Sequence, residues 1–431
     1  MKIDSLFIFL FLILFPFGQI IRIGILQPID FIVGLAAVYT IVKKLETPSA
    51  MITPSAIKYF GSFVIFASFT WFFSIFIFRQ IEVLYGLLYL LRLIAYYFFG
   101  IYVWNFVRQS TKNRKLLTNS LLGVSIVSAL FGWIQFFMVP DIKALFIYGW
   151  DMHLFRLVGT FLDPTFLGLI IVFGLVLSIY RYIDSWSWRN ASITIFLLIS
   201  LAFTYSRASY LAFVVGVLTI IYFRKKYEAL QPNGRSIFSQ ASSGAESLPC
   251  RQAGLRSETS SLTAGLRPGV FAKGDKKLIL LIVGLMVLVL LLPTAKNHSI
   301  ELFRTFSAVA RVDNYRTTLQ IFFKSPVFGV GFNNICIAYQ KYIGVQSFTS
   351  HACSGSDSSL LLLLTTTGIT GFIVFAFSII KISNSLRKNT NFLLLSSSFL
   401  AMLVHSLFSN SLFYPWIMGY LVILLAASLK E

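Results

Sequence analysis

Apolar runs long enough to cross a lipid bilayer recur along almost the whole sequence, and this feature constrains the fold most. A helix needs about 20 apolar residues to cross about 30 Å of hydrocarbon. Inside a membrane only helices and closed barrels satisfy their own backbone hydrogen bonds. A barrel would show alternating polarity, whereas these runs are continuous. The pattern predicts an all-α, polytopic integral membrane protein with about twelve transmembrane helices and one long extracytoplasmic loop.

Composition agrees with this prediction and argues against a soluble protein. Hydrophobic residues make up 57% of the 431 residues and charged residues 12%, whereas soluble domains have roughly 45–50% and about 25%. The formal net charge of +20 is also typical of nucleic-acid-binding proteins, but a membrane protein gathers Lys and Arg in its cytoplasmic loops. We therefore expect no nucleic-acid partner. The first apolar run lacks a small-residue cleavage site, so we interpret it as a retained helix.

The positions of the apolar runs predict the topology. Placing the N-terminus in the cytoplasm makes every inner loop basic, as the positive-inside rule requires, and puts the C-terminus inside as well. The sequence therefore predicts a multi-pass protein of the cytoplasmic membrane. The predicted spans are residues 5–21, 27–43, 59–78, 84–107, 116–139, 164–180, 190–205, 208–223, 278–293, 359–380, 391–409 and 412–429.

The chain divides into three predicted segments. Residues 1–226 hold the first eight helices, and residues 276–431 hold the last four together with the extracytoplasmic loop 294–358. Between them, residues 227–275 are rich in Ser, Gly and Ala and carry the tetrapeptide Ala-Gly-Leu-Arg twice. This composition is typical of a disordered insertion, to which we assign no function.

Arginines on the predicted outer side need a reason, because topology favours basic residues inside and burial near hydrocarbon costs about 2.5 kcal/mol or more. A guanidinium stays charged and binds phosphate through two parallel hydrogen bonds, so several together would suit a diphosphate. Alternatively, each pairs with an aspartate such as Asp151, Asp163 or Asp313, or faces water. The candidate diphosphate-binding residues are Arg92, Arg156, Arg207, Arg311 and Arg316.

Several other side chains have two interpretations each. Arg92 lies within a span, where an ionisable residue is a functional candidate by default, but an ion pair with Glu82 would also explain it. His405, also within a span, either lines a substrate path or bonds a neighbouring helix. Cys336 and Cys353 fall in the outer loop and are able to form a disulfide there.

Five short motifs resemble, in order and spacing, the O-antigen ligase and O-antigen polymerase family. The resemblance spans roughly residues 150–410, and the predicted topology puts all five motifs outside. Asp30 and the run that starts at His405 also resemble the sequences of this family. The motifs are Arg156-x-x-Gly159-Thr-Phe with Asp163-Pro164, Ser206-Arg207-Ala208, Arg311-x-x-x-Tyr315, Lys324-Ser-Pro326-Val-Phe-Gly329-Val-Gly331, and Gly368-Ile-Thr-Gly371.

The resemblance implies an inverting glycosyltransferase that needs no metal and no cofactor. Its donor would be a glycan linked to polyprenyl diphosphate, its acceptor a saccharide or a lipid-linked glycan, and its site would face outward among membrane lipids. Arg207 and Arg311 match the family's two key arginines by motif position. They would stabilise the charge that grows on the leaving diphosphate. Ligase and polymerase both remain open, since they differ in the acceptor.

The chain departs from the family pattern at the residue that would activate the acceptor. That step needs a general base. The family usually has a His-Asn pair shortly before the glycine that matches Gly368, and at that spacing this chain has Asp357-Ser358. Either Asp357 has taken the role, or His351 reaches the site along a different loop path.

Two further functions compete with the enzyme. A transporter or flippase of lipid-linked saccharides would also need basic residues beside an amphipathic cavity, but it would show internal repeats and charges along a path across the membrane. Here the motifs gather on one predicted face, which favours chemistry over translocation. The missing histidine leaves a non-catalytic scaffold for envelope assembly as the third interpretation.

Overall fold

α-Helices form along the apolar runs in the computed structural model of the chain. The structure describes residues 3–21, 26–49, 51–79, 81–143, 145, 153–184, 187–229, 271–291, 305–344, 355–386 and 392–429. Within these residues the regular structure is helical, with no named strand. The α-helices are α1 (Ile3–Leu14), α2 (Pro28–Glu46), α3 (Ser55–Phe78), α4 (Leu84–Val107), α5 (Thr111–Met138), α6 (Pro164–Asp184), α7 (Trp188–Phe203), α8 (Arg207–Ala229), α9 (Phe271–Leu291), α10 (Thr305–Phe322), α11 (Ile335–Ile343), α12 (Ser359–Leu386), α13 (Phe392–His405) and α14 (Pro415–Ser428).

Each predicted span overlaps one helix, and the remaining helices, α10 and α11, lie in the predicted outer loop. The described part of this multi-pass protein is therefore all-helical, while the count of twelve spans and their orientation stay predictions. Six helical segments are long and apolar enough to cross a membrane, namely Ser55–Phe78, Ile81–Val107, Thr111–Met138, Pro164–Tyr182, Arg207–Arg224 and Ser359–Leu386. Shorter apolar segments are Ser5–Phe17, Trp188–Phe203, Leu278–Leu291, Phe392–His405 and Pro415–Ser428.

Helix α6 lies at the centre of the packing. It is the most buried of the six candidate spans and contacts α5, α7, α8 and α13. Gly168 and Gly174 on α6 leave room for Ser209 of α8 and Ser125 of α5, which approach where a Cβ atom would otherwise lie. Small residues allow such close helix packing in membranes. Helix α8 also packs on α13, α12 on α3, and α2 on α4.

The predicted insertion at 227–275 lies mostly outside the described residues, which stop at 229 and resume at 271. Helices α8 and α9 each continue a few residues into it. The rest of the insertion stays a prediction.

Candidate active site

Arg207 begins α8 directly after a tight turn, and its side chain is exposed. The turn comprises Thr204, Tyr205 and Ser206, and the amide of Ser206 donates to Oγ1 of Thr204 (3.3 Å). Tyr205 has a φ of 50°, in the left-handed region that a residue with a Cβ rarely adopts. The turn therefore needs support from outside to hold this conformation.

Arg156 supplies part of that support. Its Nε donates to the carbonyl of Thr204 (3.1 Å) and its Nη2 to the carbonyl of Tyr205 (3.0 Å). The next residue, Leu157, donates its amide to the carbonyl of Phe203 (2.9 Å). The sequence suggested an aspartate or water as the partner of Arg156, whereas these two nitrogens bind main-chain carbonyls. Three hydrogen bonds thus join the segment around Arg156 to the end of α7 and the turn before α8.

The segment after Arg156 is anchored by groups from two other parts of the chain. The amides of Val158 and Gly159 both donate to Oε1 of Gln135 on α5 (3.0 and 3.2 Å). Oγ1 of Thr160 donates to the carbonyl of Pro16, which follows α1 (2.6 Å). The Arg-x-x-Gly-Thr-Phe motif is therefore a rigid connection between helices.

Helix α10 carries the second key arginine and brings it to Arg207. Arg311 is half-buried, and it lies close enough to Arg207 for the two charges to repel each other. One turn further on, Tyr315 donates its hydroxyl to the carbonyl of Leu407 (2.6 Å), which fixes α10 beside the end of α13. Burial raises the pKa of Tyr315, and the charges of Arg311 and Asp357 both act on it.

Asp357 is half-buried and lies just before α12, where α10 holds its backbone. Oδ1 of Asn314 accepts from the amide of Asp357 (3.0 Å) and from the hydroxyl of Ser356 (3.2 Å). The start of α12 is tied to the end of α13, because the amide of Ser359 donates to the carbonyl of Ser406 (2.9 Å). The carboxyl group is thereby held near Tyr315, on which its charge acts.

Three of the predicted site residues thus lie in one region: Arg207 is within electrostatic reach of Arg311, and Arg311 and Asp357 are both within reach of Tyr315. Arg316 is exposed on α10, five positions after Arg311 and so about 140° around the helix from it. It is not brought into the group. His351 lies outside the described residues, so its role as the alternative base stays a prediction.

Arg92 forms a buried ion pair with the neighbouring helix α2. Its Nε and Nη2 donate to the two carboxylate oxygens of Asp30 (2.8 and 2.6 Å), and the two side chains are only 11% and 9% exposed. The structural partner is therefore Asp30, and the suggested pairing with Glu82 is wrong. Asp30 also accepts from the amide of Gln27, which caps α2. Arg92 thus links α2 to α4, and its contact with a diphosphate stays a prediction.

His405 is fully buried, within electrostatic reach of Arg311, and bonds neighbouring segments on both sides. Its Nε2 lies 3.3 Å from Oγ of Ser209 on α8, and its Nδ1 lies 2.6 Å from Oγ of Ser411. Ser209 continues the chain of contacts to Oγ of Ser206 (2.8 Å) in the turn before Arg207. Of the two interpretations of His405, helix bonding is what these contacts show.

The two glycine-containing motifs of the C-terminal part bind each other. Gly368 interrupts α12 with φ 70° and ψ −176°, a conformation essentially limited to glycine. A Cβ atom there would collide with the carbonyl of Val327 and lie 2.6 Å from the amide nitrogen of Gly329. The amide of Ile369, freed by the kink, donates to the carbonyl of Pro326 (2.9 Å). These motifs hold the loop after α10 against α12.

An apolar cavity of about 600 Å³ lies between α3, α4, α8, α12, α13 and α14. Met402 lines it one turn before His405, and Leu412 and Phe413 line it immediately after Ser411. From there the lining continues to Phe392 at the other end of α13. The cavity lining thus includes residues a few positions before and after the buried histidine in the sequence.

Cys336 of α11 is disulfide-bonded. Disulfides persist in oxidising compartments, which agrees with the predicted extracytoplasmic side of this loop. Cys353, which the sequence allows as a partner, lies outside the described residues.

Sequence reasoning missed several residues that build the site without belonging to its chemistry. Asn314, Ser209, Ser411 and Gln135 position the candidate residues through hydrogen bonds. The available signal was a polar side chain inside or beside an apolar run, since such groups need a partner in a membrane. The partner itself could not be read from the sequence.

Comparison with known proteins agrees with the motifs. Residues 192–376 match the family model described as O-antigen ligase. The matched segment covers less than half of the chain and contains Arg207, Arg311, Asp357 and Gly368. No curated protein matches the chain significantly.

Proposed function

We propose that this chain, whose residues 192–376 match the O-antigen ligase family model, transfers a lipid-linked glycan to an acceptor hydroxyl. The proposed donor is a glycan on polyprenyl diphosphate. The proposed reaction inverts the anomeric carbon without metal or cofactor, on the outer face of the cytoplasmic membrane. The observation that carries the proposal is that Arg207 lies within electrostatic reach of Arg311, while Arg311 and Asp357 both act on Tyr315.

Two neighbouring guanidiniums repel each other and so favour an anion that contacts both. Arg207 and Arg311 come from different helices, and among the described residues neither forms an ion pair with a carboxylate. A diphosphate has the negative charge and the acceptor oxygens to bind both guanidinium groups. The pair therefore fits the head group of the proposed donor.

In the proposed step the acceptor oxygen attacks the anomeric carbon, and the bond from that carbon to the diphosphate oxygen breaks. The bonding electrons leave on the diphosphate, where the two arginines stabilise the growing charge. The acceptor proton passes to a base, for which Asp357 is the candidate that the described residues offer. A single displacement of this kind inverts the anomeric configuration.

The apolar cavity fits the other end of the donor. An isoprenoid chain has no polar groups, so an apolar channel between membrane helices suits it. The cavity begins near His405, which Arg311 influences electrostatically. In the proposed mode of binding the diphosphate lies at the arginines and the isoprenoid chain lies in the cavity.

The direct test uses purified protein with a polyprenyl-diphosphate oligosaccharide and, in parallel, a saccharide or lipid-glycan acceptor. We expect mass spectrometry to find free polyprenyl diphosphate together with a longer or transferred glycan. Because Lys keeps the charge but loses the planar fork, R207K and R311K should each lower transfer by roughly a hundredfold. The matched control R316K, on the same helix as Arg311, should cost little.

Other outcomes separate the competing functions. A flippase would move the donor intact, so translocation without release of free polyprenyl diphosphate would overturn the proposal. Near-normal rates in both R207K and R311K would show that the two arginines contribute only positive charge and not bidentate hydrogen bonds. The acceptor that is extended tells ligase from polymerase.

A further inference from the structure

We propose that Arg156 is a positioning residue, which holds the turn that aims Arg207 at the donor. The inference rests on the proposed function and changes the role that the sequence predicted for Arg156, direct binding of the diphosphate. It starts from the two hydrogen bonds that its guanidinium gives to consecutive carbonyls, those of Thr204 and Tyr205.

Those carbonyls belong to the turn directly after α7, at the end where a helix leaves its last carbonyl groups without partners in the helix. A cation is favoured at this end, because the helix dipole is negative there. The planar guanidinium offers two donors in fixed geometry, so it can fix the relative orientation of both carbonyls. A Lys ammonium is a point charge and cannot fix them in that way.

The held conformation is an unfavourable one. Tyr205 lies in the left-handed region with φ 50°, and such residues persist only where their surroundings over-determine them. Its amide donates to the carbonyl of Ala202 (3.2 Å), which holds the turn from the side of α7. Arg156 holds the turn from the segment alongside it, next to the bond from Leu157 to Phe203 (2.9 Å).

The conformation of Tyr205 sets the direction in which the chain enters α8. Only Ser206 separates it from Arg207, and Ser206 is itself tied to α8, because its carbonyl accepts from the amide of Tyr210 (3.0 Å). If Tyr205 relaxes to the right-handed region, the start of α8 shifts. Arg207 then moves relative to Arg311, with which it shares the proposed diphosphate.

A double-mutant cycle tests this inference. Glycine adopts a positive φ without steric cost, so Y205G should make the turn less dependent on Arg156. We expect R156Q and R156K each to lower kcat for glycan transfer by roughly 10- to 100-fold, since a misplaced group at a distance has effects of this size. In the Y205G background the same changes should cost at most about threefold, a clear departure from additivity.

R311Q is the matched control, because it removes a proposed donor contact that Y205G cannot replace. Its loss of kcat should be the same in both backgrounds. If R156Q costs as much in the Y205G background as in the wild-type background while R311Q behaves additively, Arg156 acts on the substrate and the inference is overturned.

A second readout does not depend on transfer. The thermal midpoint measured in detergent should fall with R156Q or R156K, and it should fall clearly less when Y205G is present. That coupling would support the positioning role of Arg156 even if no transfer were found, in which case the proposed function alone would fail. Equal losses of Tm in both backgrounds, for both the Gln and the Lys variant, would overturn the inference.

Discussion

At the scale of single residues, the base that activates the acceptor is the open question, and substitution can decide it. D357N keeps the shape of the side chain but removes its basic oxygen, so we expect transfer to fall by about 10²- to 10⁴-fold with donor binding largely retained. H351Q should cost less. The control D313N changes an exposed carboxyl group on α10 and should leave the rate nearly unchanged.

The pH dependence of the transfer rate is a second way to distinguish Asp357 from His351 as the base. An ordinary carboxyl group titrates at about 3.9 and an imidazole at about 6.5. Transfer should therefore persist at mildly acidic pH if Asp357 is the base and fade there if His351 is. An inactive H351Q variant and an active D357N variant would identify His351 as the base. If both variants are active, neither residue is the base, and only the two arginines still support an enzymatic function.

At the scale of elements, the kink in α12 should be required for folding. G368A forces a Cβ into a conformation limited to glycine and against the carbonyl of Val327, which should cost about 3 kcal/mol or more. Thermal unfolding in detergent and the yield of inserted protein measure the loss. G123A is the control, because Gly123 is helical with open space around it and alanine there should be neutral or stabilising.

Helix α12 also shows how a glycine motif acts on the site. A G368A variant with normal stability and activity would contradict our explanation that Gly368 lets the loop after α10 rest on α12. That loop positions α10 only if it is held, and α10 carries Arg311 and Asn314. The glycine motifs thus act on the site through the backbone.

At the scale of the whole molecule, the predicted orientation decides on which side of the membrane the arginines work. A tag at Gly244 should react with membrane-impermeant reagents only from the cytoplasm, and a tag at Asn297 only from outside. The reason is the basic character of every predicted inner loop. Reaction of both tags from one side would disprove the span between them and the proposed outer location of the site.

Sequence by itself determined the broad class and the candidate list. Continuous apolar runs require helices in a membrane, and each predicted span overlaps a helix of the structure. The motifs named Arg207 and Arg311, and the spacing before Gly368 named Asp357, because their chemistry is local: a guanidinium brings its donors, and a carboxylate its acceptor oxygens, wherever the chain takes them.

Only the tertiary structure decided which of those groups meet. Arg207 and Arg311 lie within electrostatic reach because α8 and α10 both bond to the segment at the end of α13. Arg156 directs two nitrogens to carbonyls, and Arg92 pairs with Asp30 rather than Glu82. Sequence spacing does not encode these partners, since they depend on how distant helices pack and on which carbonyls a turn leaves without a donor. The physical reason is that the residue type sets the chemistry of a side chain, whereas the packing of distant helices sets which side chains lie close together.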